Sequence, residues 1–238
     1  MEYLEFVFDH KTIRGFKDGT SRNDIVLFVH GFMGNKVDHH FMMRTFSDVV
    51  IQCGFSSYRF DFLGSGDSDG NFAKDESIGY QIEQLQYIIQ SFQKMGYRVH
   101  VFAFSLGGVI ATHCNGYESL FLLSPAGNFD EILDEFIYQG LPNLDGYEFN
   151  GFPISKELIN EVRSYTFFND LTIAPKIKIV QGTKDQYVSI ESFKTYCNIL
   201  GCESALIPEA DHCFSKLSYT EQVVKEMLSF YDKIKLQS

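Results

Sequence analysis

A serine stands at a predicted strand-to-helix junction, where its hydroxyl could act as a nucleophile. Ser105 follows the apolar run Arg98–Ala103 and precedes a helical pattern that opens with Gly107-Gly108. Small residues, Ala103 and Gly107, stand two positions before and after it. This spacing is typical of a nucleophile elbow, a sharp turn that strains the backbone and exposes the serine hydroxyl. The usual pattern is G-x-S-x-G, and here Ala103 stands at the position of the first glycine. A serine at the start of an ordinary helix is the alternative interpretation of this sequence.

A serine hydroxyl needs an imidazole to take its proton and a carboxylate to hold that imidazole in the right tautomer. Asp185 follows the predicted strand Ile177–Gln181, and His212 follows the next strand, Ser204–Ile207. Because the carboxyl ends of parallel strands meet at one edge of a sheet, we expect both loops to lie beside Ser105. The sequence therefore predicts Ser105 as nucleophile, His212 as general base and Asp185 as the acid that orients it.

Other polar residues compete for these roles. Asp211 is adjacent to His212, which makes a side-chain hydrogen bond between the two awkward, and Asp170 precedes the expected strand. A metal site at residues 38–40 (Asp-His-His) would need a further ligand that the sequence does not identify. We therefore expect no metal and no cofactor. The remaining histidines are interpreted as structural or solvated.

An acyl-transfer site also needs N–H donors aimed at the developing oxyanion. The backbone N–H of Leu106, directly after the serine, is one candidate. The second is the N–H of Phe32, because His30-Gly31-Phe32 directly follows an apolar strand and Gly31 allows the backbone to turn. A plain turn is the alternative interpretation of this tripeptide.

Strand and helix patterns alternate along the chain, which favours a mostly parallel sheet flanked by helices. The first two strands are predicted to form a hairpin, because the link between them, Asp9-His10-Lys11, is short and polar. The predicted strands are Tyr3–Phe8, Thr12–Phe16, Asp24–His30, Ser56–Phe60, Arg98–Ala103, Ser119–Leu123, Ile177–Gln181 and Ser204–Ile207. The predicted helices are Asp38–Cys53, Glu76–Met95, Gly107–Asn115, Ile190–Leu200 and Tyr219–Lys235.

Residues 127–174 interrupt this alternation with more chain than a single crossover helix needs. The segment is rich in Phe and Tyr, contains the hairpin-turn signal Asn150-Gly151, and places Ser155 as a helix N-cap before Lys156–Ser164. We expect residues 1–126 and 175–238 to form a catalytic core, and residues 127–174 to form a cap over its carboxyl edge. A surface excursion without a binding role is the alternative. The candidate substrate-binding hydroxyls in it are Tyr138, Tyr147 and Tyr165.

The combined motifs resemble the α/β-hydrolase superfamily over essentially the whole chain. They are His30-Gly31-Phe32, the glycine-rich loop 61–68, the elbow serine, Gly182-Thr183-Lys184-Asp185 and Asp211-His212. The resemblance implies an α/β fold with a mostly parallel eight-stranded sheet, flanking helices and an inserted cap, and a structural role for Asp61. Chain length, the oxyanion loop and the compact insertion are similar to bacterial cinnamoyl or feruloyl esterases and related carboxylesterases.

The predicted activity is that of a serine carboxylesterase, which forms an acyl-enzyme with a small ester whose acyl group is apolar or aromatic. An acyl thioesterase with the same three residues is one alternative, and a binding protein that keeps the fold without turnover is another. A haloalkane dehalogenase or epoxide hydrolase is disfavoured, because those relatives carry Asp at the elbow, where this chain has Ser105.

Composition limits the partners of the protein. The 238-residue chain has 20 Lys and Arg against 31 Asp and Glu, a net charge of −11, which argues against nucleic acid. Five scattered cysteines predict neither a disulfide framework nor a zinc site, and we expect a cytoplasmic protein. No apolar run is long enough to cross a bilayer. The expected partner is a small-molecule ester, and a homodimer is one option for assembly.

Overall fold

The computed structural model describes residues 1–236 as a central sheet with helices on both faces and an inserted second sheet. The strands are β1 (Glu2–Phe8), β2 (Lys11–Asp18), β3 (Asp24–Val29), β4 (Ser56–Phe60), β5 (Arg98–Phe104), β6 (Ser119–Leu123), β7 (Leu141–Asn143), β8 (Gly146–Phe149), β9 (Phe152–Ser155), β10 (Lys176–Gly182) and β11 (Glu203–Ile207). The helices are α1 (Met42–Gln52), α2 (Phe72–Asp75), α3 (Ile78–Lys94), α4 (Leu106–Thr112), α5 (Phe129–Gln139), α6 (Lys156–Ser164), α7 (Ile190–Leu200) and α8 (Leu217–Lys235).

The central sheet has eight strands in the order β1-β2-β4-β3-β5-β6-β10-β11. β1 pairs with β2, and β2 with β4, in antiparallel fashion, whereas all pairs from β4 to β11 are parallel. This arrangement confirms the predicted α/β fold with a mostly parallel eight-stranded sheet. It places the chain segments after β3, β5, β10 and β11 at one edge, the edge at which the predicted site residues lie.

Strand β3 shows why both faces of the sheet need helices. Side chains alternate between faces along a strand, and every residue of β3 is buried. Ile25, Leu27 and Val29 join a buried apolar cluster that includes residues of α3 and α4. Val26 and Phe28 join a second cluster with α1 and α8. The continuous apolar run of β3 is therefore explained by helices on both faces.

Helix α1 starts later than predicted. A short 3-10 turn, His39–Phe41, stands where the helix was expected to begin. Asp38, His40 and Phe41 have φ of 57°, 50° and 60°, values incompatible with a right-handed helix. The helix therefore begins at Met42, and residues 38–41 form a tight loop near the carboxyl edge of the sheet.

The inserted segment 127–174 has its own small architecture. Helix α5 is followed by the antiparallel sheet β7-β8-β9 and then by α6. Asn150 and Gly151 have positive φ and join β8 to β9, which confirms the hairpin turn. The Ser155 hydroxyl accepts a hydrogen bond from Leu158 N at 3.1 Å and caps α6 as predicted. Helix α5 and strand β7 were not predicted from the sequence.

Two global features follow from the described part of the chain. None of the helices within residues 1–236 combines the length and apolar character that a membrane span requires. All five cysteines are free thiols.

Candidate active site

Ser105 occupies the sharp turn between β5 and α4. Its backbone has φ 54° and ψ −124°, a region that residues other than glycine rarely adopt. Hydrogen bonds hold the turn on both sides, because Ser105 N donates to Leu123 O at 3.0 Å and Gly108 N donates to Ser105 O at 2.9 Å. The strained elbow geometry predicted from the small-x-Ser-x-Gly pattern is therefore present.

The start of α4 packs directly on the backbone at the end of β3. A β-carbon added to Gly107 would lie 2.5 Å from His30 O and 2.7 Å from Val29 O. Such distances are too short for any side chain, so only glycine allows this close approach. Gly107 thereby brings the elbow next to the loop that begins at His30.

His212 lies between Ser105 and Asp185. Its Nε2 atom is 3.1 Å from Ser105 Oγ, and its Nδ1 atom is 2.8 Å from Asp185 Oδ2. The side chains of His212 and Asp185 are 8% and 1% exposed, respectively. The structure thus brings together the three residues predicted as nucleophile, base and acid, in hydrogen-bond contact and in the predicted order.

The carboxyl group of Asp185 is held in its ionised form. Burial by itself raises the pKa of Asp185, but the facing His212 ring and the backbone N–H groups of Val188 and Tyr187 outweigh burial and lower that pKa below its ordinary value. Those two N–H groups donate to Asp185 Oδ1 at 2.9 Å and 3.0 Å. An ionised carboxylate at Nδ1 keeps the ring proton there, which leaves Nε2 free to accept a proton from the serine.

The two rival acids lie in other surroundings. Asp211 Oδ1 accepts hydrogen bonds from Ser215 N and Ser215 Oγ, both at 3.0 Å, and so closes the turn after the histidine. Asp170 is exposed. Within residues 1–236, neither side chain forms a hydrogen bond with His212.

The loop after β3 lies against the elbow. His30 is buried, its Nε2 accepts a hydrogen bond from Phe62 N at 3.1 Å, and its Nδ1 lies 2.9 Å from Gly31 O. An accepting Nε2 implies the Nδ1–H tautomer, which donates to Gly31 O. His30 therefore fixes the turn that carries Phe32. Leu106 is the first residue of α4, and N–H groups in the first turn of a helix have no acceptor within the helix.

A family comparison agrees with this geometry. Residues 22–233 match the model of a family described as an alpha/beta hydrolase domain. The chain belongs to the α/β-hydrolase family. This membership confirms the resemblance found in the sequence and indicates a hydrolase.

Several solved structures share the fold of this α/β hydrolase. Est1E from Butyrivibrio proteoclasticus, solved with ferulic acid bound, is 19% identical, with a TM-score of 0.81 over 95% of this chain and 97% of that chain. The mouse alpha/beta hydrolase domain-containing protein 10 is 17% identical, with a TM-score of 0.76 over 98% and 100% of the two chains. A monoacylglycerol lipase from Paleococcus ferrophilus is 18% identical, with a TM-score of 0.70 over 98% and 99%. No curated protein sequence matches the chain.

A cavity of about 270 Å³ opens at Ser105 and His212 of this α/β hydrolase. One wall is aromatic, and its rings form a continuous contact series: Phe136 stacks on Phe149 at 4.5 Å and lies 6.1 Å from Phe32 and 5.6 Å from Tyr187. The inserted segment supplies Phe129, Ile132, Phe136, Phe149, Asn150 and Phe152 to the cavity.

The three tyrosines predicted as substrate ligands do not line this cavity. Tyr138 is 85% exposed on α5. Tyr165 packs against the His113 ring at 5.4 Å, and Tyr147 packs against the main apolar cluster. The tyrosine that does line the cavity is Tyr187, whose ring meets His212 at 5.3 Å. Its position two residues after Asp185 was the sequence signal that could have pointed to it.

Asp61 has the structural role that the family resemblance implied. It is completely buried, and it accepts hydrogen bonds from Lys36 N at 2.6 Å, Lys36 Nζ at 2.5 Å and Asp67 N at 2.8 Å. The carboxylate therefore joins the glycine-rich loop 61–68 to the loop after β3. The sequence pattern did not reveal Lys36 as its partner.

A second Ser-His-Asp row lies near the opposite edge of the sheet. His100 Nδ1 is 2.8 Å from Ser119 Oγ, and His100 Nε2 is 3.4 Å from Asp24 Oδ1. Ser119 is only 1% exposed, and Asp24 is paired with Arg98 and Lys235. A buried hydroxyl cannot meet a substrate, so this row ties β3, β5, β6 and α8 together. Within residues 1–236, no group of three or more His, Cys, Asp or Glu is arranged to hold a metal ion.

Proposed function

We propose that this α/β hydrolase is a serine carboxylesterase that forms an acyl-enzyme with small esters carrying an apolar or aromatic acyl group. The observation that supports this proposal most directly is the contact series from Ser105 Oγ through the His212 ring to Asp185, at 3.1 Å and 2.8 Å. Ser105 and His212 lie in a cavity with an aromatic wall, which supports apolar or aromatic acyl groups as the substrate class.

In the acylation step, His212 Nε2 takes the hydroxyl proton while Ser105 Oγ forms a bond to the ester carbonyl carbon. Asp185 keeps the other ring proton on Nδ1 and stabilises the imidazolium that forms. The carbonyl oxygen becomes an oxyanion, to which Phe32 N–H and Leu106 N–H donate hydrogen bonds. His212 then gives its proton to the leaving alkoxide oxygen as the carbon–oxygen bond of the ester breaks, and the alcohol departs.

Deacylation repeats this chemistry with water. His212 Nε2 takes a proton from a water molecule, whose oxygen attacks the acyl-enzyme carbonyl carbon. The bond to Ser105 Oγ breaks, and the proton on His212 returns to that oxygen. The products are the carboxylic acid and the free enzyme.

The inserted segment 127–174 acts as the cap in this proposal. It contributes aromatic and aliphatic side chains to the cavity at the reacting serine, where a flat apolar acyl group loses water contact and gains ring contacts. The ferulic acid bound to Est1E, which shares this fold, is an aromatic acid and supports the same substrate class.

The decisive experiment compares Ser105→Ala with Ser218→Ala, a matched change at an exposed serine on α8. We expect Ser105→Ala to lower kcat/KM for an aryl ester by several orders of magnitude and to abolish labelling by a fluorophosphonate. We expect Ser218→Ala to match the wild type. Retained activity in Ser105→Ala would refute the assignment of the nucleophile.

The same assay separates the alternative functions. Esters and thioesters with one shared acyl group, phenylpropionyl, are compared on the wild-type enzyme. A higher kcat/KM for the ester supports a carboxylesterase, whereas a strong preference for the thioester favours a thioesterase. Absence of both turnover and fluorophosphonate labelling would favour a binding protein.

A further inference from the structure

The loop that holds Asp185 is itself held by two side-chain amides. Asp185 Oδ1 accepts a hydrogen bond from Val188 N at 2.9 Å. The carbonyl of that same peptide group, Tyr187 O, accepts a hydrogen bond from Asn128 Nδ2 at 3.1 Å. The carbonyl of the next peptide group, Val188 O, accepts from Gln181 Nε2 at 2.8 Å. We call Asn128 and Gln181 the amide clamp.

The two members of the amide clamp come from different parts of the fold. Gln181 is completely buried near the end of β10. Asn128 is half-buried, lies directly before α5, and also donates to Glu131 Oε2 at 3.2 Å. The clamp thus joins the central sheet and the inserted segment to one short stretch of backbone, residues 187–188.

Hydrogen bonds at both ends of a peptide group fix its plane and polarise each other. The side-chain Nδ2–H of Asn128, the peptide group between Tyr187 and Val188, and Asp185 Oδ1 form such a series. Rotation of that peptide group would withdraw the Val188 N–H from Asp185 Oδ1 and so weaken the hold on the carboxylate, whose Oδ2 lies 2.8 Å from His212 Nδ1. The ring of Tyr187 also packs on the His212 ring, so displacement of the loop would disturb His212 through this ring contact as well.

We propose that Asn128 and Gln181 are positioning residues for the acid Asp185, acting through the peptide groups of Tyr187 and Val188. The inference rests on the proposed serine esterase mechanism. It adds a link between the inserted segment and the acid: the segment that lines the cavity also holds, through Asn128, the carboxylate that orients the base.

The test is a double-mutant cycle, because a residue that acts only through Asp185 loses its effect when Asp185 is gone. Gln181→Met and Asn128→Leu keep the approximate side-chain size and remove the amide. Each is made in the wild type and in Asp185→Ala, and kcat and KM are measured with 4-nitrophenyl butyrate. We expect each variant to lower kcat about tenfold in the wild-type background with KM changed less than threefold, and to change kcat less than twofold in the Asp185→Ala background.

Equal losses in both backgrounds would show a general structural effect and overturn the proposal, as would unchanged kcat in the wild-type background. Gln139→Met, an exposed amide on α5 that contacts Glu135, is the matched control. Melting temperatures check folding, and if Gln181→Met does not fold, Asn128→Leu decides by the same criterion. Failure of the esterase proposal itself is recognised separately, because the wild type would then not turn over 4-nitrophenyl butyrate, or Ser105→Ala would keep its activity.

Discussion

Gly31 lies so close to Ser105 that a β-carbon added to Gly31 would be 2.8 Å from Ser105 Cβ and 3.4 Å from Ser105 Oγ. The backbone of the loop after β3 therefore touches the side chain of the proposed nucleophile. The contact joins the ends of β3 and β5 and leaves no room for any larger residue.

Gly31→Ala is expected to lower kcat/KM about 100-fold, because the new methyl group must push either Ser105 or the Phe32 N–H out of place. Steady-state kinetics on an aryl ester and a thermal melt provide the measurement. Gly79→Ala is the matched control, since its β-carbon would meet Glu161 Oε1 at an ordinary 3.5 Å. Wild-type kinetics in Gly31→Ala would contradict this view of the loop.

Asp185→Asn is expected to lower kcat about 10⁴-fold, since an amide in place of the carboxylate favours the wrong tautomer of His212. Asp211→Asn should have less than a threefold effect, because Asp211 contacts Ser215 and not the imidazole. The pair is compared by single-turnover kinetics. A larger loss in Asp211→Asn than in Asp185→Asn would exchange the roles of these two acids.

Phe136→Ala is expected to change substrate preference, because Phe136 lies at the centre of the aromatic wall, between Phe32, Phe149 and Tyr187. The ratio of kcat/KM for a phenylpropionyl ester to that for the acetyl ester of the same alcohol should fall about tenfold, a loss of roughly 1.4 kcal/mol of selective binding. Tyr138→Ala, which removes an exposed ring on the same helix, is the control. An unchanged ratio would show that the wall does not bind the acyl group.

Glu76→Gln is expected to flatten the pH dependence of stability. Burial raises the pKa of Glu76 to about 8, with Glu161 acting in the same direction and a hydrogen bond from Gln81 opposing it. The folded state then favours the protonated carboxyl, whereas the unfolded chain ionises near the ordinary value of 4.5. The free energy of unfolding should therefore decrease as pH rises from about 4.5 to about 8, by at most about 1.4 kcal/mol per pH unit.

Urea unfolding at pH 5, 6.5 and 8 measures this effect. The wild type should lose stability across that range relative to Glu76→Gln, whose amide does not titrate. Glu83→Gln, at an exposed position on α3, should follow the wild type. Parallel curves for the wild type and Glu76→Gln would show that Glu76 is ionised throughout.

Local sequence patterns were sufficient to predict the strands of the central sheet and the nucleophile elbow. Strands covered on both faces, such as β3, are uninterrupted apolar runs, and the elbow is a short motif, so both are visible in consecutive residues. The order Ser105, Asp185, His212 follows from which loops end at one sheet edge. These features depend on backbone periodicity and on chain topology, which the sequence carries directly.

Contacts between distant residues were decided only by the tertiary structure. Ser105 and His212 are 107 positions apart, and their spacing of 3.1 Å depends on the parallel pairing of β5, β6, β10 and β11. The three tyrosines illustrate the limit, since composition located aromatic residues in segment 127–174 but could not show that Phe136 and Phe149 face the cavity while Tyr138 faces solvent.

The amide clamp and the second Ser-His-Asp row are two further features that sequence patterns alone do not predict. Asn128 and Gln181 have no motif, and only the packing of segment 127–174 and β10 around residues 187–188 brings their amides to one loop. Ser119, His100 and Asp24 have the residue types of a catalytic row, yet burial of Ser119 removes it from any substrate. The sequence by itself determined which residue types were present and in which order along the sheet. The tertiary structure decided which of them meet and which are accessible, because both depend on packing between segments far apart in the chain.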